Sequence, residues 1–130
     1  MLTTSLIATA PFSVVLPAKD ATRAKDFWER IVGVEMTEAG APGYLMGKAG
    51  KGTSFLIYET LLKPTEATAA AFLVDDLDAT MTELRARGLK FLDYDMPGLK
   101  TVNGVAEMGE MGRGAWFMDS EGNTINIAQM

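Results

Sequence analysis

Apolar and polar positions change rhythm several times along this chain, and each change marks an element. Phe12-Ser13-Val14-Val15-Leu16 is a short run rich in β-formers. After it, Ala24, Phe27, Trp28 and Ile31 fall at i, i+3, i+4 and i+7. That spacing is one face of a helix, which Asp20 caps and Gly33 ends. Residues 34–37, 43–47 and 53–58 predict three strands, the last two joined by the glycine-rich turn at 47–52.

A polar connection over about 59–66 carries Pro64, and then the order begins again. Residues 69–74 are strand-like, and Asp75 and Asp76 supply an N-cap. Leu77, Met81 and Leu84 make the stripe of a second helix that ends at Gly88. Residues 89–92, 115–118 and 124–128 predict the remaining strands, and Asp119-Ser120-Glu121-Gly122-Asn123 is the hairpin turn between the last two. The segment 95–113 is long for a connection, and 101–108 is expected to add a short strand. Each half thus reads strand, helix, three strands. Ser13 to Asp20 and Ala69 to Asp76 have the same spacing at an offset of 56 residues, which slips by one at Gly33 and Gly88. The expected fold is α+β, one domain over 1–130, with βαβββ modules at about 8–60 and 67–130 whose strands pair into a curved mixed sheet.

Alternation assigns faces, because successive strand residues point to opposite sides. Ile125 and Ile127 suit a helix-packed core, which sends Thr124, Asn126 and Ala128 to the concave side. By the same rule Phe12, Val14 and Leu16 are core while Ser13 and Val15 face the cleft. Ala70, Phe72 and Val74 are core, against Ala69, Ala71 and Leu73 in the cleft. Phe55 and Ile57 are core, against Ser54, Leu56 and Tyr58. Trp116 and Phe117 take opposite faces, and alternation alone leaves open which one faces the cleft. The inferred cleft is apolar with a few polar handles, as small-molecule sites are. The alternatives, a collapsed core or a dimer interface, stay open. Met96, Met108 and Met111 fit a shape-adapting lid, although nine methionines in the chain make incidental packing the plainer reading.

Composition removes much chemistry. The 130 residues include no cysteine and no histidine, which excludes disulfides, zinc-thiolate sites and Cys–His or Ser–His–Asp nucleophile systems. Net charge is −5, against nucleic acid and anionic membrane surfaces and mildly in favour of cationic ligands. No apolar stretch approaches the roughly 20 residues of a membrane span. Residues 1–15 have no basic leader region, so the expected location is the cytoplasm. Residues 47–53 lack the spacing of a phosphate loop, and a strand follows them.

Three segments carry a family resemblance: Phe27-Trp28-Glu29-Arg30-Ile31-Val32-Gly33, Ala71-Phe72-Leu73-Val74-Asp75-Asp76-Leu77-Asp78, and Gly112-Arg113-Gly114-Ala115-Trp116-Phe117-Met118-Asp119-Ser120-Glu121-Gly122-Asn123. In order and spacing the chain resembles the vicinal-oxygen-chelate superfamily of glyoxalase I, extradiol dioxygenases, fosfomycin-modifying enzymes and bleomycin-binding proteins. The resemblance implies paired βαβββ modules around a central cleft. It also implies metal ligands at the positions held here by Ser13, Ala69 and Asn126, with a fourth near Leu56 or Tyr58. None of these supplies a formal charge or an imidazole, so no metal or cofactor is expected. The favoured reading is a metal-independent binding protein for an aromatic or cationic small organic molecule. Its expected contacts are Ser13, Val15, Leu56, Tyr58, Ala69, Ala71, Trp116, Phe117, Thr124 and Asn126. A lyase, isomerase or dioxygenase-like enzyme using other groups is a second reading, and an interaction subunit without ligand a third. A homodimer is expected, since exposed sheet edges and the apolar residues 6–12 invite pairing.

Overall fold

The computed structural model describes residues 3–130. Its alternating stretches become strands β1 (Val14–Ala18), β2 (Met36–Glu38), β3 (Tyr44–Lys48), β4 (Ser54–Glu59) and β5 (Thr68–Leu73). In the second half follow β6 (Asp95–Met96), β7 (Leu99–Lys100), β8 (Ala106–Glu107), β9 (Arg113–Met118) and β10 (Thr124–Gln129). Helix α1 (Ala21–Asp26) runs on as a π-helical stretch, Phe27–Val32, and stops at Gly33 in the left-handed conformation that glycine tolerates. Helix α2 is Leu77–Ala86.

The two modules are built alike down to their caps. Asp20 accepts from the Arg23 N–H and Asp76 from the Ala79 N–H, both at 3.0 Å. The last strand of each module also reaches back to its own helix. Glu59 Oε2 accepts from Ala21 N at 3.0 Å, and Gln129 Oε1 accepts from Leu77 N at 2.7 Å. Free N–H groups at a helix start need such partners.

One four-stranded sheet has the order β1-β4-β3-β2, the other β5-β10-β9-β8. In each, the first pair is parallel and the others antiparallel. The curved surface is therefore two sheets, whose β1 and β5 come together without a hydrogen-bonded ladder. The helices cover one side, and a single core runs beneath both, from Leu16, Trp28, Phe55 and Ile57 to Leu77, Met81, Phe117, Ile125 and Ile127.

Trp28 is the centre of that core. Its ring lies 5.0 Å from Phe55 of module one, and 6.2 and 6.1 Å from Phe72 and Phe117 of module two. Such aromatic pairs add roughly 0.5–1.5 kcal/mol beyond the area they bury. Gly47 makes the arrangement possible, because a Cβ there would collide with the Phe55 ring.

Three expectations fail on the edges. Phe12 is 96% exposed, and Ser13 also precedes β1, which starts only where β4 offers a partner, at Val14 opposite Phe55. Residues 34–35 lie outside β2. Residues 89–92 form no strand, and Leu92 N donates alone to Trp116 O at 2.8 Å. The cause is length: 12 positions separate Gly33 from Leu45, but 27 separate Gly88 from Ala115. The surplus folds as an excursion over 93–112, holding the β6–β7 hairpin and the isolated Val102–Val105 bridge, and β8 takes the sheet edge instead.

The final hairpin locks the modules together. Asp119 is buried. Its Oδ2 accepts from Trp28 Nε1 at 3.3 Å and Asn123 Nδ2 at 2.9 Å, and its Oδ1 accepts from the Glu121 and Asn123 N–H groups. Asn123 Nδ2 also donates to Pro17 O of β1 at 2.9 Å. Glu121, with no exposed side-chain surface, takes the Asp20 N–H and a two-pronged Arg23 contact. Removing one member should leave buried polar atoms unpaired. Trp28→Phe and Asp119→Ala should each cost about 1–3 kcal/mol in urea unfolding, and the double variant should cost at least about 0.5 kcal/mol less than their sum. Simple additivity would show that the two groups do not act together.

The two carboxylates respond to pH in opposite directions. Burial raises the Asp119 carboxyl above the ordinary range, only partly offset by its Asn123, Glu121 and Trp28 donors. Burial works on Glu121 too, but the Arg23 guanidinium, the Asp20 N–H and the Ser120 hydroxyl outweigh it and hold Glu121 at about 2, below its ordinary 4.5. A depressed carboxyl stabilises the fold fully above 4.5, and that stabilisation is lost as pH falls towards 2. Glu121→Gln should lower stability at pH 7 and flatten the fall in unfolding free energy between 4.5 and 2. An unchanged acid slope in the variant would assign the sensitivity elsewhere.

Candidate functional site

The side of the sheets away from the helices divides into an open half and a closed half. On β3 and β4, Tyr44, Met46, Leu56 and Tyr58 stand opposite the core residues Leu45, Phe55 and Ile57. Tyr44 and Tyr58 are direct cross-strand partners, stacked at 6.1 Å with their planes 23° apart. Val15 of β1 continues this face, with Ala69, Ala71 and Leu73 of β5 beyond it. All of these side chains are half-buried or exposed, and Leu73 is 74% exposed. The result is a shallow apolar trough with an aromatic wall.

The far side is shut by the chain's own excursion. Trp116 is only 7% exposed, with its Nε1 donating to Thr68 Oγ1 at 3.0 Å and Tyr94 edge-on at 5.7 Å. A Cβ on Gly114 would stand 2.9 Å from Met108 Cε and 3.1 Å from Asn126 Nδ2, so the Met108 methyl lies against β9 and next to β10. Met108 does cover the face, whereas Met96 and Met111 are exposed. Thr124 and Asn126 are buried. Asn126 Nδ2 donates to Ala115 O at 3.1 Å, while among the described residues nothing donates to its Oδ1.

The structure thus gathers Val15, Leu56, Tyr58, Ala69 and Ala71 on the open face, and puts Trp116, Thr124 and Asn126 along its closed end. Phe117 is removed from the candidate set, since it is fully buried in the core against Trp28. Ser13 is exposed ahead of β1, with its hydroxyl 3.5 Å from its neighbour's carbonyl. Tyr44, Met46 and Tyr94 were missed. The first two follow the alternation of 43–47, and only the third depended on the excursion's path.

The donor set does not fit a dication. Ser13 lies outside the strand, Ala69 has no donor, and Asn126 is committed through its amide nitrogen. Among the described residues no group of three or more carboxylates, histidines or cysteines converges on a point. A divalent cation needs several anionic or imidazole ligands in place of its water.

The description "Glyoxalase/Bleomycin resistance protein/Dioxygenase superfamily" fits residues 11–127. No curated protein sequence matches the chain. Among solved structures, TnmS3, an antibiotic binding protein from Streptomyces sp. CB03234, is 25% identical, with 93% of this chain and 97% of that one covered and a TM-score of 0.66. A lactoylglutathione lyase from Agrobacterium tumefaciens is 16% identical over 93% of both chains, TM-score 0.67. A fosfomycin resistance protein from Listeria monocytogenes is 16% identical over 94% of this chain and 93% of its own, TM-score 0.66. The last two show the fold alone.

The closed end can be opened from outside. Tyr94→Ala should expose the Trp116 ring and shift indole emission to the red, at a cost of about 1–3 kcal/mol in stability, with Trp28 unaffected. An unshifted spectrum from a folded variant would show that Tyr94 does not seal the wall.

Proposed function

The chain belongs to the Glyoxalase/Bleomycin resistance protein/Dioxygenase superfamily, and from that premise we propose that it is a metal-independent binding protein for a small organic molecule with a flat aromatic part. The observation that carries this reading is the stacked Tyr44–Tyr58 pair on an open apolar face, beside the small Ala69 and Ala71. A stacked pair leaves one ring face free for a third planar system. Apolar surface without a partner is also costly to leave in water, at roughly 25 cal/mol per Å². Asn126 Oδ1 offers an acceptor near the closed end, which suits a ligand N–H or O–H. The net charge of −5 favours a cation over an anion at this face. The antibiotic-binding relative supports binding over chemistry. Metal independence follows from the donor set, in which Ser13, Ala69 and Asn126 stand where the family's ligands are expected.

The test uses proflavine, a flat tricyclic cation, in calorimetric titration and thermal unfolding. Wild type should bind it saturably and unfold at a higher temperature in its presence. Tyr58→Ala should weaken binding about tenfold, equivalent to roughly 1.4 kcal/mol, and Ala71→Trp should abolish it by filling the trough. Added zinc, nickel or manganese should change neither result. Binding that needs a metal, or that survives Ala71→Trp in a folded protein, overturns the reading.

A further inference from the structure

A well-formed hollow lies away from the concave face. It is a groove of about 590 Å³ on the helix side of module two, between α2 and the excursion that module one lacks. That volume is in the range of small-molecule sites, roughly 300–1,000 Å³.

The groove is held in shape without a ligand. Asp93 Oδ1 accepts from Thr101 Oγ1 and from Gly104 N, both at 2.9 Å, and Thr101 Oγ1 accepts from Tyr94 N at 2.8 Å. Gly104, at φ +82°, lies tight against α2: a Cβ there would stand 3.4 Å from both Met81 Cε and an Arg85 nitrogen. A site that exists beforehand loses less on binding than one that must be ordered.

Its charges are unevenly used. Three cations and two carboxylates line it, in a chain whose net charge is −5. Arg113 holds both carboxylates, Asp78 through two N–H groups at 3.0 and 3.2 Å and Glu107 at 3.2 Å. Arg85 and Lys100 have no ion pair among the described residues. Arg85 is nevertheless fixed in place. It donates to Asn103 O at 3.0 Å and its guanidinium carbon sits 5.1 Å above the Phe91 ring, which commits one of its five donors. Apolar surface from Val102 and Val105 adjoins these cations, with the buried Met81 at the floor.

We propose that this groove is a second ligand site, for a small anionic amphiphile. Its carboxylate or phosphate head pairs with Arg85 and Lys100, and its apolar body lies on Val102 and Val105. The preference is opposite in sign to that of the concave face, and the site does not depend on the reading of that face.

Titration of the ¹⁵N-labelled full chain, followed by amide chemical shifts, tests it with three probes: phenylbutyrate, phenyl phosphate and phenylbutylamine. The two anions should give saturable shifts grouped on Thr82, Arg85 and 102–105, and the amine should give none there. The tighter of the two anions identifies the head group. Lys100→Glu, and separately Arg85→Gln with Lys100→Gln, should weaken anion binding by about tenfold or more. Shifts absent for both anions, shifts confined to Val15, Leu56 and Tyr58, equal binding of the amine, or indifference to Lys100→Glu would each overturn the proposal.

Discussion

A buried carboxylate without a cation has to collect its donors from whatever surrounds it, and Asp119 collects them from both modules. Four N–H groups converge on it: two from the backbone of its own hairpin, one from the Asn123 amide and one from the Trp28 indole. An ionised group in an apolar setting is tolerable only when so satisfied. The requirement fixes the hairpin's turn, the rotation of Trp28 and, through the second hydrogen of Asn123 on Pro17 O, the position of β1. The aromatic cluster can close around Trp28 only in that arrangement. The trough inherits its shape, since its two halves belong to the two sheets that this contact holds together.

Most of the trough was legible in the sequence, and the reasons are local. Alternation sorted β4, β5 and β10 correctly because in each a period of two separates the residues that pack beneath the sheets, Phe55 and Ile57, Ala70 and Phe72, Ile125 and Ile127, from their neighbours. For Trp116 and Phe117 the register across the final turn decides. With Met118 paired to Thr124, Phe117 must oppose Ile125 and Trp116 must oppose Asn126. Phe12 was misplaced because composition cannot say where the partner strand ends. The role of Asp119 was not legible either. The motif around it reads as a turn, and its partner Trp28 lies 91 residues away.

The two modules differ on their concave faces and are alike where folding demands it. Asp20 and Asp76 cap in the same way, as do Glu59 and Gln129, because every helix start needs acceptors. The concave faces carry no such obligation. One keeps an exposed tyrosine pair, and the other is sealed by Tyr94 and Met108 from a segment its counterpart lacks. The same longer segment walls the outer groove, so it shapes both surfaces of module two.

Where β1 meets β5, no backbone ladder crosses. Strands joined by a ladder are locked at about 4.8 Å and a set twist, but this seam is held only by side chains packed and hydrogen-bonded on its helix side. The aperture of the trough is therefore an adjustable quantity. A substitution in the core beneath the seam can alter how one sheet sits on the other without touching the open face. The spacing of the two halves is thus set by core residues that the open face never shows.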